Sequence, residues 1–300
     1  MDEKDCQMLV YLGEELNITQ AAKRLYTTQP ALAYRIKQIE EQFGVELFIR
    51  DGKSLTLTLQ GKCLIHYAQK QLRLLRDTKD QLKELTNAGN LRIGVTSFYC
   101  NYLFPPLLKA FHATHPGIQY YIQSGMSSEI FDALKKGDIN LAIVRGDFPW
   151  DGKKQLLHEE EIGIVSLATL DMKTLADEPR IVFREPKMLA HIPNHTSETI
   201  EEMIQTWWEE RFDRQANIVM EVDSYETCVR MASEGLGYAI VPKLFLINHP
   251  NLSFQSLIFA DHSAANRRTW IYYRDQDHSL RAVQTFLTFL TKHLETELRY

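Results

Sequence analysis

The spacing of apolar residues changes near residue 90, and this change divides the chain into two parts with different architectures. Up to residue 88 the apolar residues recur at helical spacing, whereas from Leu91 onwards short apolar strands alternate with helices. The run Asn87–Asn90 between them contains residues that end helices and form turns. We therefore expect a helical N-terminal part, a linker and a larger α/β part.

The composition is that of a folded globular protein and argues against several classes of function. Hydrophobic residues make up 44% and charged residues 24% of the chain, and its net charge of −5 means that any nucleic-acid surface must be local. The four cysteines lie far apart and the ten histidines form no cluster, which argues against a metal site or a disulfide scaffold. Residues Met1–Asp5 lack the basic start and apolar run typical of a signal peptide, and no apolar run is long enough to predict a membrane span. We expect a cytoplasmic protein with no membrane partner and no cofactor.

Two helices and a hairpin are predicted to follow a first helix near the N-terminus. The second helix is expected to be capped by Thr19 and to end near Leu25, and the third to be capped by Thr28 and to end before Gly44. Pro30 lies in the first turn of the third helix, where its missing N–H costs nothing. Two short strands around an Asp-Gly turn then predict a hairpin.

The second and third helices have the spacing of a helix-turn-helix, and Ala21 and Ala22 are small enough for the close crossing. In that motif the start of the second of the two helices enters the major groove, where Gln reads adenine and Arg reads guanine, while basic residues nearby hold phosphates. An ordinary helical corner is the alternative, and Arg50 could pair with Glu46 or Asp51 on the surface. The candidate DNA-binding residues are Lys23, Thr28, Gln29, Pro30, Ala33, Tyr34, Arg35, Lys37, Arg50 and Lys53.

One long helix is predicted from Gly61 to about Leu85, because this segment contains neither Pro nor an internal Gly. A single apolar stripe runs along it among charged residues. A helix with one apolar seam needs a partner, and a second copy of the chain is the simplest one. The stripe consists of Leu64, Ala68, Leu72, Leu75, Leu82 and Leu85, with Gln71 as an alternative to Leu72.

The rest of the chain predicts two series of strands and helices, and therefore a mostly parallel sheet in two lobes with a cleft between them. The first series has strands at Leu91–Thr96, Ile118–Ser124 and Leu141–Val144. The second begins at Ile162, and a last strand, Thr269–Tyr273, precedes a terminal helix.

Polar residues follow each strand of the first series, where ligands of open α/β sheets bind. Hydroxyls and helix N-termini favour an anion there, and Arg145 could hold a carboxylate through two hydrogen bonds. The alternatives are that Ser97 and Ser128 are plain N-caps and that Arg145 forms a salt bridge with Asp147 or Glu129. The candidate effector-binding residues are Thr96, Ser97, Phe98, Ser128, Glu129, Arg145 and Gly146.

An ordered series of short motifs runs through the first 61 residues. They are Ala21-Ala22, Thr28-Gln29-Pro30-Ala31-Leu32, Ile36, Ile39-Glu40, Phe43-Gly44-Val45, Leu47-Phe48-Ile49-Arg50 and Leu57-Thr58-Leu59-Gln60-Gly61. The series closely resembles the winged helix-turn-helix of LysR-type transcriptional regulators, and the resemblance extends over essentially the whole chain. Three positions depart from the family's usual residues: Ala33 and Tyr34 stand where Ser and Arg are common, and Gln60 replaces a small residue before the glycine.

The resemblance implies an α plus α/β fold in three parts: a winged helix-turn-helix DNA-binding domain at 1–60, a dimerising linker helix at 61–88, and an effector domain at 89–300. The effector domain is expected to resemble a type 2 periplasmic binding protein, with lobe I at about 90–160 and 266–300 and lobe II at about 161–265. The family is usually tetrameric and acts on promoter DNA, with RNA polymerase as a further partner.

Three shorter motifs, Thr-Ser at 96–97, Ser-Ser-Glu at 127–129 and Arg-Gly at 145–146, are similar to those of the catabolite-control regulators that sense citrate. This narrower resemblance implies citrate or another di- or tricarboxylate between the lobes, with Arg267 or Arg268 as an additional ligand.

The sequence therefore predicts a ligand-controlled transcriptional regulator rather than an enzyme. No Gly-x-Ser-x-Gly, Walker or dinucleotide-binding motif supports catalysis. The alternatives are an intracellular small-molecule receptor or enzyme of the α/β binding-protein class without specific DNA binding, and a protein-interaction module that uses residues 1–60.

Overall fold

The computed structural model describes residues 1–51, 54–84, 89–184 and 199–297. The helices are α1 (Glu3–Glu15), α2 (Ile18–Arg24), α3 (Gln29–Phe43), α4 (Leu59–Glu84), α5 (Ser97–Tyr102), α6 (Phe104–Thr114), α7 (Ser127–Lys136), α8 (Ile200–Glu209), α9 (Tyr225–Ser233) and α10 (Arg281–Glu297). The strands are β1 (Phe48–Asp51), β2 (Ser54–Leu57), β3 (Asn90–Thr96), β4 (Gln119–Gly125), β5 (Leu141–Arg145), β6 (Lys153–Ser166), β7 (Arg180–Phe183), β8 (Ile218–Val222), β9 (Tyr238–Pro242), β10 (Ser253–Ser256) and β11 (Asn266–Tyr273). Among the described residues, no helix is both long enough and apolar enough to cross a bilayer.

The N-terminal part is a winged helix-turn-helix, as predicted. Helices α1, α2 and α3 pack around a core that includes Leu9, Leu12 and Ile39, and β1 pairs with β2 as an antiparallel hairpin. Thr28 caps α3 by accepting a hydrogen bond from the N–H of Ala31 at 3.4 Å. These contacts confirm the fold and the start of α3.

The predicted N-cap of α2 is wrong by two residues. Asn17, not Thr19, precedes the helix, and its Oδ1 accepts hydrogen bonds from the N–H groups of Thr19 and Gln20 at 2.9 and 3.1 Å. Asn and Thr are both good N-caps, so their spacing alone did not distinguish them.

Helix α4 packs against α1, and this contact changes the predicted dimerisation stripe. Ala68 is fully buried within the chain, and Leu64 and Leu72 pack against the same core. Leu75 and Leu82 of the predicted stripe remain exposed, whereas Leu85 lies outside the described residues. The exposed apolar side chains of α4 are Leu59, Tyr67, Leu74, Leu75 and Leu82.

The α/β part contains two lobes that share β6. The strand order is β4-β3-β5-β11-β6-β9-β7-β8, with β10 also paired to β6. The outer pairs, β3 with β4 and β5, and β7 with β8 and β9, are parallel, but β11 is antiparallel to both β5 and β6. The predicted mostly parallel sheet is therefore mixed at its centre.

Strand β6 carries the chain from one lobe to the other. It pairs with β11 over Lys153–Glu161 and with β9 over Ile162–Val165. Its first half was not predicted, because Lys153–Glu161 is mostly polar or charged and is held in the sheet by pairing rather than by an apolar pattern. The predicted lobe boundary near residue 160 falls within this strand.

Ion pairs join α4 to the first lobe. The guanidinium of Arg76 donates to the carbonyl of Gly137 at 3.0 Å and to Asp138 at 2.9 Å. Arg92 of β3 pairs with Asp80 and lies 3.7 Å from Asp77, both on α4. The long helix is therefore anchored to α1 at one end and to the effector lobe at the other.

Candidate DNA-binding surface and effector cleft

The predicted DNA-binding residues at the start of α3 form an exposed surface. Thr28, Gln29, Pro30, Tyr34 and Lys37 are exposed there, and Lys23 on α2 is exposed as well, while Ala33 is half-buried. Oε1 of Gln29 accepts a hydrogen bond from the hydroxyl of Thr19 at 3.3 Å, which orients the amide. Lys37 is 3.8 Å from Glu41, an exposed contact that contributes little stability.

Arg35 has a different position from the one expected. Its Nε and Nη2 donate to the two carboxylate oxygens of Asp5 at 2.6 and 2.8 Å, and its Nη1 donates to Gln38 at 2.8 Å. The guanidinium predicted to reach a base or a phosphate is thus occupied by α1, because Asp5 is buried directly beneath it. These hydrogen bonds hold the pKa of Asp5 below its ordinary value of 3.8.

The two predicted DNA-binding residues of the wing, the hairpin of β1 and β2, cannot be compared with the structure. Lys53 lies outside the described residues, and the side chain of Arg50 does too, although its backbone belongs to β1. Sequence reasoning missed Tyr26, which is 99% exposed in the turn between α2 and α3 and has a φ of 52°. A large aromatic residue in a tight turn was the available signal.

A cavity of about 730 Å³ lies between the two lobes, beside the carboxyl ends of β3, β5 and β8. Most of the predicted effector residues line it. They are Thr96, Ser97, Phe98, Ser128, Arg145, Gly146, Arg267 and Arg268. Glu129 does not line it; its carboxylate instead caps α7 by accepting the N–H of Met126 at 2.9 Å.

Arg145 is already paired within the protein. Its Nη2 donates to Oε1 of Glu160 at 2.9 Å, and the other carboxylate oxygen of Glu160 accepts the N–H of Leu244 at 2.8 Å. The predicted alternatives are wrong, since Asp147 pairs with Lys154 and Glu129 is the helix cap. Burial lowers the pKa of Arg145 to about 10, which Glu160 opposes and the nearby Arg267 reinforces.

The predicted alternative that Ser97 and Ser128 are plain N-caps is wrong. Ser97 Oγ donates to the carbonyl of Gly125 at 3.3 Å, and neither Ser97 nor Ser128 is the N-cap of its helix. The hydroxyl of Thr96 is buried without a hydrogen-bond partner among the described residues.

The two late arginines differ in their surroundings. Arg268 lies 3.4 Å from Glu159, in a pair that is half exposed. Arg267 lines the cavity, and its side chain has no ion-pair or hydrogen-bond partner in the part of the chain that the structure describes. Of the three cleft arginines, Arg267 is therefore the one whose guanidinium is unpaired within the described residues.

An aromatic wall runs along the cleft, and of its rings sequence reasoning named only Phe98. Phe98 lies 4.2 Å from Phe245, Phe245 lies 5.2 Å from Tyr225, and Tyr225 stacks on Phe183 at 4.3 Å between ring centroids. Burial raises the pKa of the Tyr225 hydroxyl to about 12. Three carboxylates of the second lobe, Glu201, Asp223 and Glu226, also line the cavity, and none of them was among the predicted effector-binding residues.

Comparison with known proteins gives consistent matches over the whole chain. The family model described as "Bacterial regulatory helix-turn-helix protein, lysR family" matches residues 4–62, and "LysR substrate binding domain" matches residues 86–295. The uncharacterized HTH-type transcriptional regulators YraN and YkuM of Bacillus subtilis are 35% and 30% identical, over 97% and 99% of both chains.

Solved structures support the same fold at lower identity. CbnR, a LysR family transcriptional regulator whose structure includes its target DNA, has a TM-score of 0.63 at 18% identity and covers 97% of this chain and 99% of its own. A full-length OxyR variant from Pseudomonas aeruginosa has a TM-score of 0.61 at 22% identity, covering 97% and 94%.

Proposed function

The chain belongs to the LysR family of DNA-binding transcriptional regulators, and we propose that a small carboxylate bound between its lobes controls its activity. It is a regulator with a DNA-binding domain and an effector domain, not an enzyme. The observation that carries the proposal is Arg267, whose side chain has no partner among the described residues, in a cavity of about 730 Å³ between two lobes. A guanidinium in such a cavity favours a carboxylate, which accepts its parallel hydrogen bonds.

We propose that the first turns of α3 enter the major groove. Gln29 and Tyr34 are exposed where a recognition helix meets base edges, while Lys23 and Lys37 are positioned for phosphates. Arg35, held by Asp5, would position α3 against α1 rather than read a base. CbnR, whose structure is solved with its target DNA, is the relative that makes this docking testable.

Two copies of the DNA-binding domain would be joined through α4. Tyr67 and Leu74, and likewise Leu75 and Leu82, lie seven residues apart and are exposed, which is the spacing of a coiled-coil seam. A dimer of this kind would place two recognition helices on half-sites one helical turn or a multiple of it apart. Further pairing would give the tetramer that the family resemblance implies.

Control by the effector requires that the ligand prefer one arrangement of the lobes over another. A carboxylate held by Arg267 and the polar groups at the ends of β3 and β5 would favour a closed cleft, and β6 would transmit the change between the lobes. An effect of 5–150-fold on DNA binding corresponds to roughly 1–3 kcal/mol of coupling. Citrate, suggested by the motifs at 96–97, 127–129 and 145–146, is one of the acids to test.

The experiment is fluorescence anisotropy of the full chain with DNA from its own upstream region, at two salt concentrations, with and without citrate and smaller carboxylates. We expect tight, salt-sensitive binding that one of the acids changes. Arg267→Met should abolish the response to the acid and leave DNA binding intact. Arg184→Met is the matched control, because Arg184 pairs with Glu221 outside the cleft. Specific binding that no acid alters would contradict the carboxylate proposal, and no specific binding at all would contradict the docking of α3.

A further inference from the structure

We propose that the effector is a zwitterion of the amino-acid class with an apolar side chain, an inference that rests on the regulatory function proposed above. The charged side chains around the cleft support this proposal. Within the described residues, an arginine without a partner lies where the first lobe meets the crossing strands, and carboxylates without an ion-pair partner lie on the second lobe.

The positive charge available to a ligand is small. Arg145 is paired with the buried Glu160 and Arg268 with Glu159, so each of these arginines is matched by a carboxylate of the protein. Arg267 alone among the three cleft arginines has no partner in the described residues. One free guanidinium matches one ligand carboxylate, whereas citrate would bring further negative charges without matching cations.

Negatively charged side chains of the second lobe also line the cleft. Glu201 at the start of α8, Asp223 after β8 and Glu226 in α9 all line the cavity. No Lys or Arg of the described residues forms an ion pair with any of them, and Glu226 accepts a hydrogen bond only from Ser224 Oγ, at 2.8 Å. These carboxylates repel a polyanion in the cleft and stabilise a ligand ammonium group.

Buried polar atoms provide a second, independent indication of a ligand. Thr96 is 6% exposed and lines the cavity, and its buried hydroxyl has no hydrogen-bond partner in the described residues. Nε of Arg145 is buried and unpartnered in the same wall. Buried donors are nearly always satisfied in native proteins, and a ligand oxygen that reaches this wall would satisfy these two.

The aromatic wall determines the rest of the ligand. Phe98, Phe245, Tyr225 and Phe183 form a continuous series of ring contacts along the cleft. A ligand whose carboxylate binds Arg267 and whose ammonium group faces Glu201 and Asp223 would place its side chain against these rings. An aliphatic or aromatic side chain would gain stability there from apolar burial.

Isothermal titration calorimetry of the full chain tests this assignment with matched probes. The probes are L-phenylalanine, L-leucine, L-methionine and L-tryptophan, together with phenylpropanoate, which lacks the amino group, phenylethylamine, which lacks the carboxylate, and citrate. We expect at least one amino acid to bind. Removing either charged group from phenylalanine should weaken binding about tenfold or more, and citrate should bind more weakly than the amino acid.

Variants then separate the two ends of the ligand. Glu201→Gln combined with Asp223→Asn should weaken the amino acid about tenfold while phenylpropanoate binds as well as before or better. Arg267→Met should weaken both ligands but not phenylethylamine. Glu221→Gln is the control, since this exposed carboxylate lies outside the cleft and should change nothing.

The inference is overturned if phenylpropanoate or citrate binds as tightly as the amino acid, or if none of the amino acids binds at millimolar concentration. The anisotropy assay on the same samples distinguishes failure of this inference from failure of the proposed function. Intact, salt-sensitive DNA binding without an amino-acid response contradicts only the zwitterion, and loss of specific DNA binding contradicts the proposed function itself.

Discussion

The guanidinium of Arg145 and the carboxylate of Glu160 are 2.9 Å apart, and both side chains are only 3% exposed. Because Glu160 also accepts the N–H of Leu244, this one carboxylate joins β5, β6 and the short turn after β9. Arg145 lies over the rings of Phe98 and Phe245 as well, at 5.1 and 4.7 Å. The pair therefore lies where β6 passes from one lobe to the other, and its arginine lines the cleft.

Removing Glu160 should destabilise the effector domain strongly. Glu160→Leu leaves the buried Arg145 guanidinium without a counter-charge, so we expect the free energy of unfolding to fall by about 3–5 kcal/mol. Urea denaturation of the full chain, followed by circular dichroism, measures the change. The double variant Arg145→Met with Glu160→Leu should recover most of the loss, because replacing both members of a buried pair with apolar residues is often close to neutral.

Glu159 provides the matched control for this experiment. It is the neighbouring residue on β6, but it is 37% exposed and its partner Arg268 is 51% exposed. Glu159→Leu should therefore cost less than about 1 kcal/mol. Similar losses for Glu159→Leu and Glu160→Leu would contradict the assignment of Glu160 as the structural partner of Arg145.

The contact between Asp5 and Arg35 should make the DNA-binding domain sensitive to acid. Since the hydrogen bonds from Arg35 lower the folded-state pKa of Asp5 below 3.8, the stabilisation is present above that pH and is lost as the pH falls through the folded-state value. Asp5→Asn should lower the free energy of unfolding by about 1.5–3 kcal/mol at neutral pH, because the ionised hydrogen bonds are lost. The difference from the wild type should shrink towards zero in strong acid.

Thermal melts followed by circular dichroism between about pH 2 and pH 7 measure this dependence. Glu3→Gln is the control on the same helix, because Glu3 forms only an exposed contact with Lys79 at 3.3 Å. A constant difference between Asp5→Asn and wild type across the whole pH range would exclude ionisation of Asp5 as the cause.

Local signals explain why the helix-turn-helix could be predicted from sequence. Thr28, Pro30 and Gly44 act on the backbone within a few residues of their own positions, and together they set both ends of α3. The pairing of Arg35 with Asp5 joins residues 30 positions apart on different helices. The spacing of residues along one helix does not indicate a contact with another helix. The sequence therefore indicated an exposed arginine but not its partner.

The cleft shows the same division between local and long-range information. Thr96, Ser97 and Arg145 were predicted because the carboxyl ends of parallel strands meet at one edge of a sheet. Glu160, the partner of Arg145, lies in the charged half of β6, which has no strand pattern of its own and exists through pairing with β11. The rings of the aromatic wall come from separate elements, so only the tertiary fold brings them together.

Two substitutions on the DNA-binding surface should have different signatures. Gln29→Ala should weaken binding to the specific site by about 1–3 kcal/mol and relax its sequence preference, because a base contact is lost. Lys23→Ala should weaken specific and non-specific DNA about equally and reduce the slope of affinity against salt by about 1. Anisotropy titrations on specific and scrambled duplexes over a salt series measure both effects.

A basic residue far from the proposed DNA-binding surface provides the control for these two variants. Lys109 is exposed on α6, and Lys109→Ala should change neither affinity nor salt slope. If Gln29→Ala lowered binding to specific and scrambled duplexes equally, Gln29 would be a general contact and not a reader of sequence.

Self-association should depend on the exposed side chains of α4 rather than on the buried part of its apolar stripe. Leu74 is 61% exposed and lies on the seam with Tyr67, so Leu74→Glu should place charges at the contact between two copies. Each copy would lose the burial of one leucine, which is worth about 1.5–3 kcal/mol, so the dimer should be at least about tenfold weaker. Sedimentation velocity over a concentration series measures the dissociation constant. Leu167→Glu is the control, since Leu167 is similarly exposed, at 57%, on the effector domain. Equal association by Leu74→Glu and wild type would show that the dimer forms through a surface other than this seam.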